Sequence, residues 1–262
     1  MKKTVCLLLA LLVMMTAAVL TGCGGVPENT DTTQNGGASG TTPADSGTEK
    51  SDGNSDSANG EFKVGNIVTF GSYEQDNDPS NGAEPIKWRV LEVYDGKALL
   101  ISVCCLDAKQ YNSGLESITW ENSLLRKWLN DDFHTAAFSE EEQSRIVTTH
   151  VENNDNAKFG TAGGNDTEDK VFLLSFAEVN QYFDSKEAKQ CVPTAFAIAN
   201  GAEESSYAKV DGKPTALWWL RSPGSNSIYV AGVRDNGNAD EGGFAAINTM
   251  IAVRPVIWVT TG

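Results

Sequence analysis

Histidine is scarce in this sequence, with two in 262 residues, and basic side chains are outnumbered by acidic ones, 20 to 35. The resulting net charge of −15 disfavours binding to nucleic acid and to anionic lipid headgroups. Neither a G-x-G-x-x-G motif nor a P-loop lysine is present, so the usual cradles for nucleotide phosphates are missing. We therefore expect no nucleic-acid partner, no nucleotide and no cofactor.

Metal-ligand spacings and hydrolase motifs are also missing. No C-x₂-C or H-x₃-H spacing occurs among the cysteines and the two histidines, His134 and His150, so no metal is predicted. No G-x-S-x-G elbow accompanies them. Asn236, Asn238 and Asp240 alternate like the start of a calcium loop. An EF-hand is excluded, because the glycine falls one place late and no acid stands at the twelfth position. A more loosely held calcium ion remains an alternative.

Residues 1–23 have the pattern of a secretion signal. Two lysines follow Met1, a largely apolar run spans residues 5–20, and Leu20-Thr21-Gly22-Cys23 ends it. The last four residues resemble the lipobox of bacterial lipoproteins. This resemblance implies cleavage before Cys23 and acyl chains on its thiol and new amino group. We therefore expect an anchor in membrane lipid, through acylated Cys23, at the outer face of the bacterial cytoplasmic membrane.

Residues 24–61 have the composition of a tether. They consist mainly of small and polar residues, with Val26 as the one large aliphatic side chain, and cannot bury enough apolar surface to order themselves. Seven acidic residues against one lysine favour an extended chain. Its expected reach is roughly 35 Å. The remaining residues, 62–262, are enough for a single globular domain.

The pattern of this domain indicates an α+β fold. Residues 86–93 and 98–103 read as two strands joined by an Asp95-Gly96 turn. A helix is expected over 120–129, and capping boxes start two more helices at Ser139 and Ser175. Strands are expected again over 217–221, 228–233, 244–248 and 251–259. Strands, then helices, then strands predict a mostly antiparallel sheet with inserted helices.

Two adjacent tryptophans, Trp218 and Trp219, are expected inside the protein. Neighbouring residues of a strand point to opposite faces, and a strand that is apolar on both faces is usually a central one. Arg221 follows at the end of that strand, where its guanidinium can reach a carboxylate or backbone carbonyls. The predicted structural core includes Trp88, Trp128, Trp218, Trp219 and Arg254.

The loops after Arg221 and Asp235 are the predicted binding surface. The candidate ligand-binding residues are Arg221, Ser225, Asn226, Asp235, Asn236 and Asp240. We expect a non-enzymatic binding or adhesion module for a glycan or protein outside the cell, with no catalytic set. The alternative is an envelope enzyme that acts on glycans or wall polymers through Asp235, Asp240 and Glu241, although no spacing selects a catalytic pair.

Three cysteines lie in the domain, Cys104, Cys105 and Cys191. Because an exported protein can keep disulfides, Cys191 has two possible partners, Cys104 and Cys105. The alternative is that all three are small buried hydrophobic residues, which we favour.

A set of short motifs resembles a known family. They are Ile86-Lys87-Trp88-Arg89-Val90-Leu91, Trp120-Glu121-Asn122-Ser123, Arg126-Lys127-Trp128-Leu129-Asn130, Val171-Phe172-Leu173-Leu174-Ser175, Trp218-Trp219-Leu220-Arg221-Ser222-Pro223-Gly224 and Val253-Arg254-Pro255-Val256. In this order they resemble the DUF6273 type of domain found in surface proteins of Firmicutes. The resemblance extends over nearly all of residues 62–262 and implies a surface location, but no activity.

The last sixty residues are more weakly similar to the C-type-lectin-like fold, in its sulfatase-modifying branch. This likeness implies a scaffold whose long loops contact ligands. The late cysteine pair of the enzymes in that branch has no counterpart after Cys191, and the sugar-binding calcium signatures of the lectins are missing.

Overall fold

The computed structural model describes residues 61–262. The predicted signal peptide, the lipid attachment residue Cys23 and the tether as far as residue 60 lie outside the described residues. Within the described part of the chain, no helix is long and apolar enough to cross a membrane.

Fourteen strands are defined in the described residues: β1 (Ile67–Tyr73), β2 (Glu84–Tyr94), β3 (Lys97–Ser102), β4 (Asp107–Ala108), β5 (Thr149–Val151), β6 (Thr167–Asp169), β7 (Val171–Phe172), β8 (Glu204–Val210), β9 (Lys213–Ala216), β10 (Trp218–Pro223), β11 (Tyr229–Val233), β12 (Ala239–Ala245), β13 (Ala252–Val253) and β14 (Val256–Thr260). The α-helices are short: α1 (Leu124–Trp128), α2 (His134–Ala137), α3 (Glu140–Arg145), α4 (Phe176–Tyr182), α5 (Lys186–Lys189) and α6 (Ala195–Ala199). A π-helical turn, Leu129–Phe133, joins α1 to α2.

The first large sheet has the strand order β1-β2-β3-β14-β7, and every pair in it is antiparallel. The β2–β3 hairpin turns at Asp95 and Gly96, which both have positive φ, as the Asp-Gly pair predicts. The C-terminal strand β14 lies inside this sheet, between β3 and β7. The two ends of the domain therefore meet in one sheet.

The second large sheet has the order β12-β11-β10-β13-β4 and is antiparallel except for the β10–β13 pair. Trp218 and Trp219 lie on β10, the central strand, and both side chains are fully buried. Their indole nitrogens donate to the carbonyls of Lys189 and Lys109, at 3.1 and 2.8 Å. These bonds satisfy the polar atom that each buried indole carries. The fold is thus α+β with mostly antiparallel sheets.

Both predicted capping boxes are formed, at Ser139 with Glu142 and at Ser175 with Glu178. The helix expected from residue 120 starts later, because the side chain of Ser123 caps the amide of Arg126. That helix continues through the π-helical turn, which the apolar spacing did not predict.

The late strands differ from the predicted ones in two places. The strand expected at 244–248 begins earlier, as β12, because the Asp235–Asn238 turn is immediately followed by pairing with β11. The strand expected over 251–259 divides into β13 and β14, which belong to different sheets. Arg254 and Pro255 carry the chain from one sheet to the other.

Candidate functional site

The candidate late-loop residues do not form a single cluster. Ser225 and Asn226 precede β11, whereas Asp235 and Asn236 follow it, so the two loops stand at opposite ends of a five-residue strand. Asn226 and Asn236 are exposed, as expected for loop positions. The structure therefore offers two separate loop surfaces here.

Arg221 was predicted to bind a ligand, which requires an accessible side chain, but the structure places it inside the protein. Its side chain is buried and forms a two-pronged ion pair with the carboxylate of Glu178. Its remaining bonds go to the carbonyls of Leu173 and Glu152, at 2.8 and 3.1 Å. Because the guanidinium is neutralised inside the protein, Arg221 joins α4 to the second sheet rather than presenting charge to a ligand.

The acidic residues of the late loops have separate structural partners. Asp235 accepts from the hydroxyl of Tyr207 at 2.9 Å. Asp240 binds Arg234 and accepts from the amides of Gly242 and Gly243. Each carboxylate stabilises its own turn, and no hydrogen bond links one to another in residues 61–262. The geometry therefore favours a structural use of both.

Of the predicted core residues, Trp88 and Arg254 are buried like the tandem tryptophans, but Trp128 is only half-buried. The buried positions of that helix belong to Leu125 and Leu129. The ring of Trp128 lies at the edge of the core, with the Nζ of Lys109 4.6 Å from its centre.

A cavity of about 370 Å³ opens beside the first sheet. This volume lies in the range of about 300–1,000 Å³ that is usual for small-molecule sites. We call it the arginine cavity, after Arg89 and Arg254 in its lining. Apolar side chains form much of its wall: Val90, Leu91, Val103, Phe183 and Val192. A second hollow, beside Arg221, measures only about 110 Å³.

Arg254 forms the buried end of the arginine cavity. Its guanidinium lies between two aromatic rings, 5.0 Å from the centre of Trp218 and 5.4 Å from that of Phe183. Its Nε donates to the carbonyl of Ser102 at 3.0 Å, and its buried Nη1 finds no hydrogen-bond partner among the residues that the structure describes. No acid in residues 61–262 forms a salt bridge with it. A buried cation thus has its charge only partly compensated, by ring faces and one carbonyl.

Arg89 adds a second positive charge to the same cavity. It projects from β2 and is half-buried. Burial, and then the nearby charge of Arg254, lower the pKa of the Arg89 guanidinium. No salt bridge or side-chain hydrogen bond involves Arg89 within residues 61–262. Two like charges therefore line the same cavity, and each disfavours the charged form of the other.

A pair of thiols lies behind the cavity wall. Cys105 and Cys191 are free and fully buried, and the thiol of Cys191 donates to the carbonyl of Val103 at 3.5 Å. The disulfide that the sequence allowed between Cys191 and either Cys104 or Cys105 is therefore not formed. Burial raises the pKa of Cys105. Burial alone would also raise that of Cys191, but the Cys105 thiol, Arg254 and a backbone amide outweigh it and lower the pKa.

Three carboxylates, those of Glu74, Asp76 and Glu84, lie within 4.8 Å of one another in the β1–β2 connection. Much of the hydrogen-bonding capacity of these carboxylates is used by amides and side chains of the loop itself. Glu84 accepts from the amides of Gln75 and Asp76, and Asp76 accepts from the amide of Asp78 and the side chain of Asn81. The hydrogen bonds of Asp76, that from Asn81 first, lower the pKa of its carboxyl.

Sequence reasoning placed Arg254 in the core without predicting that it lines a cavity, and it quoted Arg89 only as part of a motif. A signal does exist in the sequence. Arg254 stands in an apolar stretch, Ile251–Val259, that contains no acid to neutralise it. A buried arginine in such a stretch either pairs with an acid from a distant segment of the chain or remains without a carboxylate partner.

The two large sheets and the short helices define an α+β domain, with the arginine cavity beside the first sheet. The chain belongs to the DUF6273 family, whose model, described as a domain of unknown function, matches residues 95–261. The match is shorter than expected, since the motif at residues 86–91 lies outside it although β2 belongs to the same sheet. No curated protein and no solved structure matches the chain.

Proposed function

We propose that this protein is a binding module of the bacterial cell envelope that holds an anion-bearing ligand in the arginine cavity. One observation carries the proposal. Arg254 is buried at the inner end of a cavity of about 370 Å³, and within residues 61–262 it has a guanidinium nitrogen without a hydrogen-bond partner and no salt bridge to an acid. A ligand carboxylate that reached this guanidinium would complete its hydrogen bonds and offset its charge.

The chemistry of the site supports binding rather than catalysis. The wall is largely apolar, and the lining contains no histidine, serine or cysteine that could act as a base or nucleophile. Aromatic rings hold the Arg254 guanidinium in place, so little side-chain entropy is lost when a ligand binds.

The envelope location rests on the lipobox-like sequence ending at Cys23. In this proposal acyl chains on Cys23 anchor the protein to the outer face of the cytoplasmic membrane, and the tether carries the domain outward. Expression of the full chain and of its Cys23→Ala variant would test the anchor. We expect the native chain to partition into the detergent phase, with the variant lost from that phase; equal partitioning of both would contradict the anchor.

We also propose a C-type-lectin-like architecture. Its support is topological: strands from both ends of the domain share one sheet, while the other sheet contains the late strands and their loops. In this view the late loops around Asn226 and Asn236 are a secondary contact surface for a glycan or protein, and the arginine cavity is the principal site.

The binding proposal is tested with a matched pair of small probes. Benzoate and benzamide have the same ring and nearly the same shape, but only benzoate carries a charge. We expect benzoate to shift amide resonances around Val90, Val103 and Val192 in NMR titrations. Benzamide should bind about tenfold more weakly, because a charge-assisted hydrogen bond is lost.

The variants are Arg89→Gln and Lys87→Gln. Arg89 is a better target than Arg254 because it is only half-buried and does not pack at the inner end of the cavity. The Arg89→Gln variant should therefore fold. Lys87 lies on the same strand and is outside the cavity. We expect Arg89→Gln to weaken benzoate binding about fivefold and Lys87→Gln to leave it unchanged. Equal binding of both probes to a folded protein would overturn the proposal.

A further inference from the structure

Three acidic side chains stand around the opening of the arginine cavity. Asp184 and Glu187 come from the segment between α4 and α5 and from α5 itself, and Asp211 comes from the β8–β9 turn. All three are exposed. Within residues 61–262 none of their carboxylates forms a salt bridge or accepts a side-chain hydrogen bond. We call these three residues the acidic rim.

The arginine cavity therefore changes sign along its depth. Its inner end is positive because of Arg254, which is 3% exposed. Its wall is apolar, and its opening is negative. An anion alone would use the inner end but would be repelled by the acidic rim. A cation alone would have the opposite difficulty. The arrangement complements a ligand with opposite charges at its two ends.

On the basis of the proposed function, we infer that the ligand is a short peptide with free termini and apolar side chains. Its C-terminal carboxylate binds at Arg254 and Arg89, and its N-terminal ammonium lies at the acidic rim. An apolar wall separates the two charged regions, so the two charges of the ligand must also be separated. A free amino acid carries both charges on one carbon, whereas each added residue of an extended peptide separates them by about 3.5 Å.

The apolar wall adds selectivity for the side chains of the peptide. Val103 and Val192 line the cavity while being only partly buried, so they offer apolar surface that a ligand can cover. Leucine or alanine side chains would bind favourably there, because their apolar surface would be removed from water. A charged side chain would lose hydration at the same place without a partner.

Four related probes separate the two charges: the dipeptide Leu-Ala, N-acetyl-Leu-Ala, Leu-Ala amide and free leucine. Acetylation removes the ammonium and amidation removes the carboxylate, while the apolar side chains remain. In NMR or calorimetric titrations we expect Leu-Ala to bind best. Amidation should weaken binding about tenfold. Acetylation should weaken it about threefold, because the rim charges are exposed and screened by solvent.

A rim variant tests the placement of the ammonium. The triple change Asp184→Asn, Glu187→Gln and Asp211→Asn should remove the advantage of Leu-Ala over its acetylated form. Asparagine at 211 suits the positive φ of 50° found there. The control is a triple change of exposed acids elsewhere, Asp132→Asn, Glu203→Gln and Glu204→Gln, which should preserve the advantage.

The results distinguish this inference from the proposed function. If acetylated and free dipeptide bind equally, the ligand is an anion but not a zwitterion, and only the inference fails. If free leucine binds as tightly as Leu-Ala, the assignment to a peptide is wrong. If neither benzoate nor any of the four probes binds the folded protein, the proposed function fails as well.

Discussion

Two buried arginines of this protein show how differently one side-chain type can be stabilised. Arg221 has a carboxylate partner and two carbonyl acceptors. Arg254 has two aromatic rings and one carbonyl. A guanidinium tolerates both environments because it is planar and weakly hydrated. Only the second environment leaves the guanidinium without a carboxylate partner among residues 61–262.

The pair formed by Arg221 and Glu178 should contribute strongly to stability. Glu178→Gln leaves the buried Arg221 charge without a counterion, so we expect a loss of about 3 kcal/mol in the free energy of unfolding. Glu142→Gln is the matched control, because Glu142 completes the other capping box without contacting a buried arginine. It should lose about 1 kcal/mol. Urea denaturation measures both. Equal losses would show that Glu178 acts as a cap alone.

The two histidines should affect stability in opposite directions as pH changes. Burial, and then Lys170, lower the pKa of His134, so the unfolded state takes up a proton more readily than the folded state. The stability that His134 contributes is complete above the unfolded pKa of about 6.5 and is lost as pH falls toward the folded value. The hydrogen bond to Glu168 raises the pKa of His150, so its contribution is present at low pH and is lost as pH rises.

Urea denaturation at pH 7.5 and 5.5 would separate these effects in His134→Gln and His150→Gln. We expect the stability of the native protein relative to His134→Gln to decrease on acidification. Relative to His150→Gln it should increase. The same sign for both variants would contradict the two environments described here.

At the scale of secondary structure, the β11–β12 hairpin depends on close backbone contact. The register slips between Val230 and Gly232, so Glu241, Gly242 and Gly243 form a bulge in β12. Gly243 has a φ of +74°, and a Cβ there would lie 2.1 Å from the carbonyl oxygen of Val230. Any residue other than glycine would therefore force the two strands apart.

Gly243→Ala should consequently be much more damaging than Gly96→Ala. Gly96 also has positive φ, but a Cβ there would have open space around it. We expect Gly96→Ala to cost about 1–2 kcal/mol, from backbone strain alone. Gly243→Ala should cost that strain plus the displacement of β11. Thermal unfolding of the two variants provides the comparison, and similar melting temperatures would refute the close contact.

These elements also show what the sequence could and could not predict. The Asp95-Gly96 turn and the capping boxes at Ser139 and Ser175 were correctly predicted, because the groups that form them are within three residues of each other. The pairing of β14 with β3 and β7 joins segments that are far apart in the chain, and local pattern contains no information about it. The arginine cavity depends on the same long-range pairing, which explains why Arg89 was overlooked.

At the scale of the whole molecule, β14 closes the first sheet. Val256, Ile257 and Val259 are fully buried between neighbours from β3 and β7. Burying three such side chains contributes about 5–9 kcal/mol. This is comparable to the total stability of about 5–15 kcal/mol that is typical of a domain. The last strand is therefore required for the fold rather than appended to it.

Removal of residues 256–262 should prevent folding. We expect the shortened chain to lose its near-ultraviolet circular dichroism and to be digested rapidly by a protease. The control is removal of Thr261 and Gly262, which leaves β14 whole and costs the hydrogen bonds from Thr261 to Gly96. That control should remain folded. A folded protein without residues 256–262 would disprove the central place of β14.

The wall of the arginine cavity includes Val64 and Gly65, close to the start of the domain. Backbone hydrogen bonds hold this segment to β2, from Gly65 to Val90 at 2.9 Å and from Val90 to Asn66 at 3.0 Å. The segment through which the domain joins the preceding chain therefore also lines its cavity. A fusion partner or affinity tag placed directly ahead of Phe62 would obstruct access to the cavity. A tag placed after Gly262 would lie beside the Asp95-Gly96 turn and would leave the cavity accessible.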